Sequence, residues 1–332
     1  MCSMDNLRLA EKKARRNKSH QPGVKEFDKN PEGNLLLLHE SLINNTYKTS
    51  EYSVFLIHEP KEREVFKLPY NPDRIAHHAA MLVLEKIFVS TFTSFTYACL
   101  KKRGIKGATF ALREALKDKE ATTYCLKLDI KKFYPNVNHD ILKALLRKKI
   151  KDKEMLAFLD EIIDSAKGLP IGNYLSSYFA NFYLTYFDHW LKEEMKVKNC
   201  FRYSDDIIIL ADNKPYLHEL LFNIKQYLQT WLKLEVKGNH SIFPTSCGIR
   251  FVGYVHYNDY VLLRKPTKQH FARAVKSNNK KSIASLYGWA KYCNSKNLLK
   301  KLKMTRFSEL GIKPPTNNME GNKIEMYKVI NK

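Results

Sequence analysis

The sequence predicts an α+β fold in which helices back an antiparallel sheet, on the basis of three observations. Apolar residues make up 44% of the 332 residues, which is enough for a sizeable hydrophobic core. Short runs of alternating polarity, such as 124-YCLKLDI-130, are typical of strands. Longer segments between these runs carry apolar residues at the three- and four-residue spacing that is typical of helices.

The first 90 residues are predicted to be mainly helical. A basic segment at residues 5–18 and a leucine-rich segment at 34–43 are predicted helices, and residues 52–59 are predicted to form a strand. A stretch rich in charge and proline, residues 60–74, precedes a helix predicted from Ile75 to Phe88.

From residue 124 onward, the predicted order is strand, helices, strand–turn–strand, helix and strand. This order is that of a ferredoxin-like antiparallel sheet. The predicted elements are the strand 124–130, a helix 140–149 capped by Asn138, a helix 175–191 with Leu175, Phe179, Phe182, Phe187 and Trp190 on its apolar face, the hairpin 201–210, a helix starting at 212–215, and a strand beginning near Leu234.

The charge of the chain predicts its class of partner. There are 57 Lys and Arg residues against 34 Asp and Glu, a formal charge of +23, and such a surface attracts polyanions at long range. Nucleic acid is the predicted partner, and an acidic membrane surface is the alternative. The longest runs of Leu, Ile and Val have four residues, far fewer than the roughly 20 of a membrane span. Without a secretory signal, the protein is expected in the cytoplasm. Its six scattered cysteines predict free thiols and no structural zinc.

The stretch 201-FRYSDDIIIL-210 places two adjacent aspartates, Asp205 and Asp206, at the turn of a predicted hairpin. Adjacent carboxylates repel each other, so a cation between them stabilises the pair. Asp129 ends the strand that is predicted to lie beside this hairpin, and three carboxylates would then converge. Such a set suits Mg²⁺ and leaves positions for substrate phosphates, and two ions could clamp an in-line phosphoryl transfer. Each aspartate alone also fits an ordinary turn or strand end.

Several motifs resemble those of reverse transcriptases. Tyr203-Ser204-Asp205-Asp206 resembles their Y-x-D-D motif, and 128-LDIKKFYPNV-137 resembles their first palm motif. Further segments resemble the fingers segment, the palm motif before Y-x-D-D and the primer-grip hairpin, in the family's order: 58-HEPKEREVFKLPYNPDRIAHHA-79, 168-GLPIGNYLSSYFANFYL-184 and 251-FVGY-254. The resemblance covers roughly residues 50–300.

The resemblance implies a right-hand polymerase fold. Its parts would be a basic helical extension at 1–50, fingers at 51–122 with part of 138–167, a ferredoxin-like palm at 123–255, a helical thumb at 256–305 and a tail at 306–332.

Within the family, the chain is most similar to the reverse transcriptases of diversity-generating retroelements. Most relatives have Q-G-x-x-x-S-P before Y-x-D-D, and this subgroup has an aliphatic residue followed by G-x-x-x-S-Q; here the segment is 171-IGNYLSS-177. Ile171 fits the subgroup, and Ser177 departs from both patterns. The segments 262-LLRK-265 and 287-YGWAKYCNSKNLL-299 also resemble the subgroup. The resemblance implies a bacterial or phage-encoded enzyme that copies RNA into cDNA and misincorporates opposite template adenines.

Residue roles follow from the resemblance. Asp129, Ile130, Asp205 and Asp206 would hold two Mg²⁺ ions, with Mn²⁺ as a substitute, and the three aspartates would be catalytic. Tyr134 would select deoxynucleotides by colliding with a ribose 2′-hydroxyl. The other nucleotide-binding residues would be Lys61, Arg63, Arg74, Phe133, Ile171, Gly172 and Lys237.

The same resemblance assigns residues to the nucleic acid. The primer grip would be Phe251, Val252, Gly253 and Tyr254. Contacts to the nucleic-acid backbone would come from Arg264, Lys265, Lys268, Arg273 and Lys276. His77 and His78 have no partner at ligand spacing and are interpreted as helix packing.

The implied partners are a template RNA, an RNA/DNA duplex, deoxynucleoside triphosphates and a basic oligomeric accessory protein. Three alternatives stay open. A retron or antiphage-defence enzyme is one, although the N-A-x-x-H and V-T-G signatures of retrons are missing. A group II intron enzyme is a second, disfavoured because only about 30 residues follow the thumb-like helices. A non-catalytic RNA-binding protein with a palm is the third.

Overall fold

The computed structural model describes residues 1–58 and 62–302, which form two compact units. The first unit comprises Met1–Cys99, Asp129–Lys196 and Phe222–Gly238. The second comprises Leu100–Leu128, Val197–Leu221 and the described part of Asn239–Lys332. Within the described residues, no helix is both long and apolar enough to span a bilayer.

Helices dominate the first unit. They are α1 (Met4–Ala14), α2 (Pro22–Phe27), α3 (Pro31–Ile43), α4 (Ile75–Thr91), α6 (His139–Lys149), α7 (Lys153–Asp164), α8 (Ser176–Tyr183), α9 (Thr185–Glu193) and the C-terminal half of α10 (Lys214–Leu232). Its two strands, β1 (Ser53–Ile57) and β2 (Arg63–Lys67), pair antiparallel with Ser53 opposite Lys67.

Side-chain caps and buried stripes account for these helices. The Asn138 side chain accepts a hydrogen bond from the backbone amide of Ile141 at 3.0 Å, which confirms the predicted start of α6. Asp152 caps α7 in the same way at 2.8 Å. Helix α1 presents Leu7 and Ala10, both fully buried, and packs along α4. The alanine lets the two helix backbones approach closely.

The second unit contains two sheets. Its elements are α5 (Gly104–Ala115), β3 (Tyr124–Asp129, with Asp129 itself in the first unit), β4 (Asn199–Tyr203), β5 (Asp206–Ala211), β6 (Ser241–Pro244), β7 (Ile249–Phe251), β8 (Tyr254–His256), β9 (Val261–Leu263), α11 (Lys265–Lys276), α12 (Lys280–Ala290) and α13 (Lys296–Lys301). The four-stranded sheet has the order β4-β5-β3-β6, and the three-stranded sheet has the order β7-β8-β9. The predicted placement of β3 beside the acidic hairpin is confirmed.

A separate core holds the end of the second unit together. Tyr254 and Phe271 are fully buried in a cluster formed by strands β8 and β9 and helices α11 and α12. The Tyr254 hydroxyl donates to the carbonyl of Trp289 at 2.9 Å. Gly253 has a φ of +88°, and a Cβ atom there would lie 2.2 Å from the Trp289 ring. Only glycine therefore fits this hairpin against α12.

Two predicted elements are wrong. The segment 175–191 forms two helices that meet at Leu184, although four of the five residues on its predicted apolar face are buried. No strand begins near Leu234, because α10 continues to Leu232 and Lys233 turns the chain with a φ of +52°. Val236 forms only an isolated bridge with Ile130, and the strand follows at β6. The sequence reading also missed α2, α5, α7 and β2, and the basic helix ends at Ala14.

The irregular helical turn Tyr70–Arg74, which leads into α4, is fixed by α1 and by the irregular segment between α3 and β1. The Tyr70 hydroxyl donates to Glu11 Oε1 of α1 at 2.8 Å. Asp73 is fully buried and accepts hydrogen bonds from the Tyr47 hydroxyl at 2.8 Å and the Ser50 amide at 3.1 Å. These bonds fix the backbone directly before Arg74.

Replacing Tyr47 with Phe should lower the free energy of unfolding by about 1.5–3 kcal/mol, because a buried carboxylate loses a hydrogen-bond donor. Urea denaturation measures this change. Tyr260→Phe is the control, since that ring is 42% exposed, and it should change the value by less than about 0.5 kcal/mol. Equal effects of the two substitutions would contradict the role given to Asp73.

Candidate active site

The acidic pair lies at a tight hairpin turn. Strands β4 and β5 pair antiparallel as far as Tyr203 opposite Asp206, so Ser204 and Asp205 alone form the turn. Ser204 has a φ of +58°, the left-handed conformation that two-residue hairpins of this kind require. Asp205 and Asp206 are both half-buried. Both residues are thus partly exposed on a paired hairpin, although the Oδ1 atom of Asp206 is itself buried.

A buried arginine supports this turn. Arg202 is fully buried in β4, and its Nη1 donates to the carbonyl of Ser204 at 3.2 Å. A buried guanidinium needs anionic or carbonyl partners, and here one partner is the turn itself. Arg202 thus links the strand interior to the backbone beside Asp205.

Asp129 is the last residue of β3, the strand that neighbours β5 in the sheet. Its side chain is half-buried, and its carbonyl accepts a hydrogen bond from the Lys237 amide at 2.8 Å. Ile130, the next residue, has a buried side chain. The convergence of Asp129 on Asp205 and Asp206 stays a prediction.

Asp206 has a cationic partner. The Lys127 ammonium of β3 lies 3.0 Å from Asp206 Oδ1 and 3.3 Å from Oδ2. It also donates to the backbone carbonyl of Arg250. The negative charge of this carboxylate is thus partly balanced within the protein.

The donor set suits a hard divalent cation. Carboxylate oxygens are the ligands that Mg²⁺ and Mn²⁺ prefer, and each of the three aspartates is partly exposed. Among residues 1–58 and 62–302, however, no three His, Cys, Asp or Glu side chains already form a metal-holding group. The two Mg²⁺ ions therefore stay a prediction.

The segment before Y-x-D-D lies against the β1–β2 hairpin. The Ile171 carbonyl accepts a hydrogen bond from the Phe66 amide at 2.7 Å, and the Ile171 side chain is half-exposed. Gly172 has a φ of +109°, and a Cβ atom there would lie 2.7 Å from the Phe66 carbonyl oxygen. Glycine at this position thus permits the close approach of the backbone to Phe66. A cavity of about 130 Å³ opens here, lined in part by Phe55, Arg74, His77 and Tyr174.

The surroundings of Arg74 favour an anion. Its Nε atom is buried and has no hydrogen-bond partner among the described residues. Burial lowers the Arg74 pKa. Burial, and to a smaller extent the positive charge of Arg74, lowers the pKa of Lys18. The same two causes lower the pKa of His78 to about 4. His78 also stacks on Tyr174, with ring centroids 4.1 Å apart. The positive charges of Arg74 and Lys18 thus act on the same region, and a phosphate there would be stabilised by both.

The other predicted nucleotide-binding residues differ in exposure. Tyr134 is half-buried, and its carbonyl accepts from the Leu169 amide at 2.8 Å. Phe133 is 2% exposed and contacts Tyr134 edge-on, so it supports that ring from the core. Arg63 is exposed and Lys237 is half-buried. Lys61 lies outside the described residues.

The predicted nucleic-acid contacts also separate by burial. Phe251 and Tyr254 are buried, whereas Val252 and Gly253 at the turn of the hairpin are half-exposed. Lys268 is half-buried. The remaining predicted backbone contacts are exposed on or directly before α11: Arg264, Lys265, Arg273 and Lys276. The predicted tail, 306–332, lies outside the described residues.

Sequence reading missed Lys127 and Arg202. Lys127 precedes Asp129 by two residues, so strand alternation places both side chains on one face of β3. Arg202 occupies an inward position of an otherwise apolar strand. Both signals are present in the sequence, as a charged residue within a strand pattern.

Comparisons with known proteins agree with this geometry. Residues 63–256, more than half of the chain, match the family described as "Reverse transcriptase (RNA-dependent DNA polymerase)". Protein YkfC of Escherichia coli is 22% identical over 194 residues, covering 53% of this chain and 51% of that protein. Nuclear intron maturase 4, mitochondrial, of Arabidopsis thaliana is 22% identical over 162 residues, covering 45% of this chain and 20% of that protein. The chain thus spans about half of the first relative and a fifth of the second.

A solved structure is similar in fold. The apo telomerase from Candida tropicalis superposes with a TM-score of 0.54 at 13% identity, covering 80% of this chain and 59% of that chain. The antiparallel sheet, its acidic hairpin turn and this similarity define a polymerase-type fold, as predicted. With the family match over residues 63–256, the chain belongs to the reverse transcriptase family.

The buried histidine beside the cavity predicts acid sensitivity. His77 is 1% exposed, and burial lowers its pKa to about 3. Between this value and about 6.5, the unfolded chain binds a proton that the folded chain does not, so stability is complete above about pH 6.5 and falls on acidification. His77→Gln should reduce the slope of unfolding free energy against pH by about 1.4 kcal/mol per unit over pH 4–6. Urea denaturation at several pH values measures the slope.

His218 of α10 is exposed, so His218→Gln is the matched control and should leave the slope unchanged. An unchanged slope for His77→Gln would show that this ring is not the titrating group.

Proposed function

We propose that this protein is an RNA-directed DNA polymerase that copies a template RNA into cDNA. The observation that carries the proposal is the β4–β5 hairpin, whose two-residue turn places Asp205 and Asp206 beside β3, the strand that ends in Asp129. Family membership and the formal charge of +23 support it.

The proposed chemistry is nucleotidyl transfer from a deoxynucleoside triphosphate to a primer 3′-hydroxyl. Asp129, Asp205 and Asp206 would hold two divalent ions, and these ions would stabilise the charge on the attacking and leaving oxygens. The chain's own contribution would be to hold Asp129 at the end of β3, Asp206 at the start of the neighbouring strand β5 and Asp205 in the turn before it. The Arg202 bond to the turn and the exposure of the aspartates suit that task.

Nucleotide binding is proposed for the cavity beside Gly172. Arg74 would bind the triphosphate, since it lies in a cationic cluster and has a buried Nε donor. Tyr134 would exclude ribonucleotides by contact with the 2′-hydroxyl, and Phe133 would hold its ring in place. Exposed basic residues of α11 would contact the duplex backbone without reading sequence.

The finer proposal is an error-prone enzyme of a diversity-generating retroelement. Ile171 supports it, since its half-exposed side chain is aliphatic where most relatives have a glutamine. An aliphatic side chain offers no hydrogen bond near the base pair, so a mismatch leaves fewer polar groups unpaired and selectivity falls. The proposed partners are a template RNA and a basic oligomeric accessory protein, in a bacterial or phage host.

A second candidate is an enzyme that acts with an intron RNA. It is favoured by the similarity to Nuclear intron maturase 4. Sequencing cDNA made in cells would separate the candidates, because a diversity-generating element yields copies of one short template with substitutions at adenines, and an intron enzyme yields copies of intron RNA.

Asp205→Asn should reduce primer extension on an RNA template by more than about 100-fold, because a neutral amide is a poor ligand for the catalytic ions. RNA binding, measured by filter retention, should persist. Asp259→Asn is the control, since that exposed aspartate lies in the same unit, and it should extend primers normally. Undiminished synthesis by Asp205→Asn would remove the proposed mechanism.

Ile171→Gln should lower misincorporation opposite template adenines by about tenfold, the effect of one hydrogen bond of about 1.4 kcal/mol at the base pair. Sequencing of cDNA made in vitro measures the error spectrum. Ile171→Leu keeps an aliphatic side chain and should retain the original spectrum. Identical spectra for all three proteins would show that this side chain does not set fidelity.

A further inference from the structure

Lys127 is a charged residue in the middle of β3, within a run of buried apolar neighbours. Its side chain is 29% exposed and contacts two different elements of the second unit. The ammonium lies 3.0 Å and 3.3 Å from the two carboxylate oxygens of Asp206. It also donates to the backbone carbonyl of Arg250. An ammonium has three N–H donors, so one group can bind both partners at once.

The second partner connects Lys127 to another hairpin. Arg250 lies in β7 and pairs with Val255 of β8. The turn of this hairpin contains Val252 and Gly253, the half-exposed residues that offer surface to a primer. Through one side chain, β3 thus connects the carboxylate at the start of β5 to the β7–β8 hairpin.

The Lys127–Asp206 pair differs from an ordinary surface ion pair in its exposure and in the number of its partners. Surface pairs contribute little to stability, because holding two long side chains in one geometry costs entropy and solvent screens their charges. Lys119 and Asp259 form one at 3.0 Å in the same unit, with side chains that are 59% and 72% exposed. Lys127 and Asp206 are about half as exposed, at 29% and 31%, and the Arg250 carbonyl fixes the ammonium from a second direction.

The position of the ammonium also matters for cations. Any divalent ion that binds Asp206 uses the same oxygens that Lys127 contacts. The lysine charge therefore opposes ion binding at this carboxylate, and its removal strengthens the attraction between the carboxylate and an ion.

We propose that Lys127 is a positioning residue that serves as the built-in counter-ion of Asp206. In the protein without a divalent ion, it holds the carboxylate in place and tethers it to the β7–β8 hairpin. When an ion binds, the ammonium yields the carboxylate oxygens and keeps its bond to Arg250. This inference rests on the proposed function, since it assumes that Asp206 is an ion ligand.

The direct test measures binding of Mn²⁺ to the full chain in the absence of nucleic acid, with electron paramagnetic resonance as the readout. Lys127→Gln should bind Mn²⁺ about fivefold more tightly, because one positive charge a few ångströms away is removed in a partly solvated site. Lys127→Arg keeps the charge and should bind as the original protein does. Lys119→Gln removes the charge of the exposed pair and should leave the affinity unchanged.

A second readout separates positioning from folding. Loss of the hydrogen bond to Arg250 should raise the KM for primer–template several-fold in Lys127→Gln. Lys127→Arg should have the KM of the original protein. If Lys127→Gln is too unstable to measure, Lys127→Met replaces it, since its apolar stem has similar length. Unchanged or weaker Mn²⁺ binding in the neutral variant would overturn the inference.

Asp206→Asn distinguishes this failure from failure of the proposed function. If the original protein binds Mn²⁺ and Asp206→Asn weakens the binding, but Lys127→Gln does not change it, only the role of Lys127 is wrong. If Asp206→Asn leaves Mn²⁺ binding unchanged, Asp206 is not an ion ligand and both proposals fail.

Discussion

The pairing of Tyr203 with Asp206 is the constraint on which the candidate site depends. Since the two strands pair up to these residues, the turn has only two positions, and one of them is Asp205. A longer loop would let the carboxylates move apart and relieve their repulsion. The tight turn keeps them adjacent, at the cost of a left-handed Ser204. Contacts from neighbouring side chains stabilise this negatively charged turn.

Two cationic side chains balance the acidic turn from within the second unit. Arg202 donates a hydrogen bond to the carbonyl of Ser204 in the turn. Lys127, on the neighbouring strand β3, forms an ion pair with the carboxylate of Asp206. A chain with a large excess of positive charge thus uses two of its cations to support its acidic pair. Other basic side chains, such as Arg264 and Arg273, are exposed. They are available to a polyanion, as the net charge predicts.

The sequence predicted the elements that carry strong periodic or capping signals. Strand β3, the acidic hairpin and the start of α6 at Asn138 follow from local chemistry, and the structure confirms them. Strand β2 was missed because its polar and apolar residues do not alternate, and its register is set by β1. Lys127 was missed because its partner, the carboxylate of Asp206, becomes a neighbour only after folding. Arg202 was missed because its bond to the Ser204 carbonyl, two residues along the chain, depends on the turn of the hairpin. Sequence identifies the reactive groups, and the groups that support them depend on tertiary contacts.

The chain that precedes β1 holds the turn before Arg74 at two points, through Glu11 of α1 with Tyr70 and through Tyr47 of the segment after α3 with Asp73. A shortened polypeptide that begins at β1 would leave the Asp73 carboxylate inside the protein without its hydroxyl donor, and the ring of Tyr70 without its neighbour Phe27. The first fifty residues are therefore part of the framework of the arginine-bearing turn. Trimming them as a dispensable leader would damage the cavity wall some seventy positions along the chain.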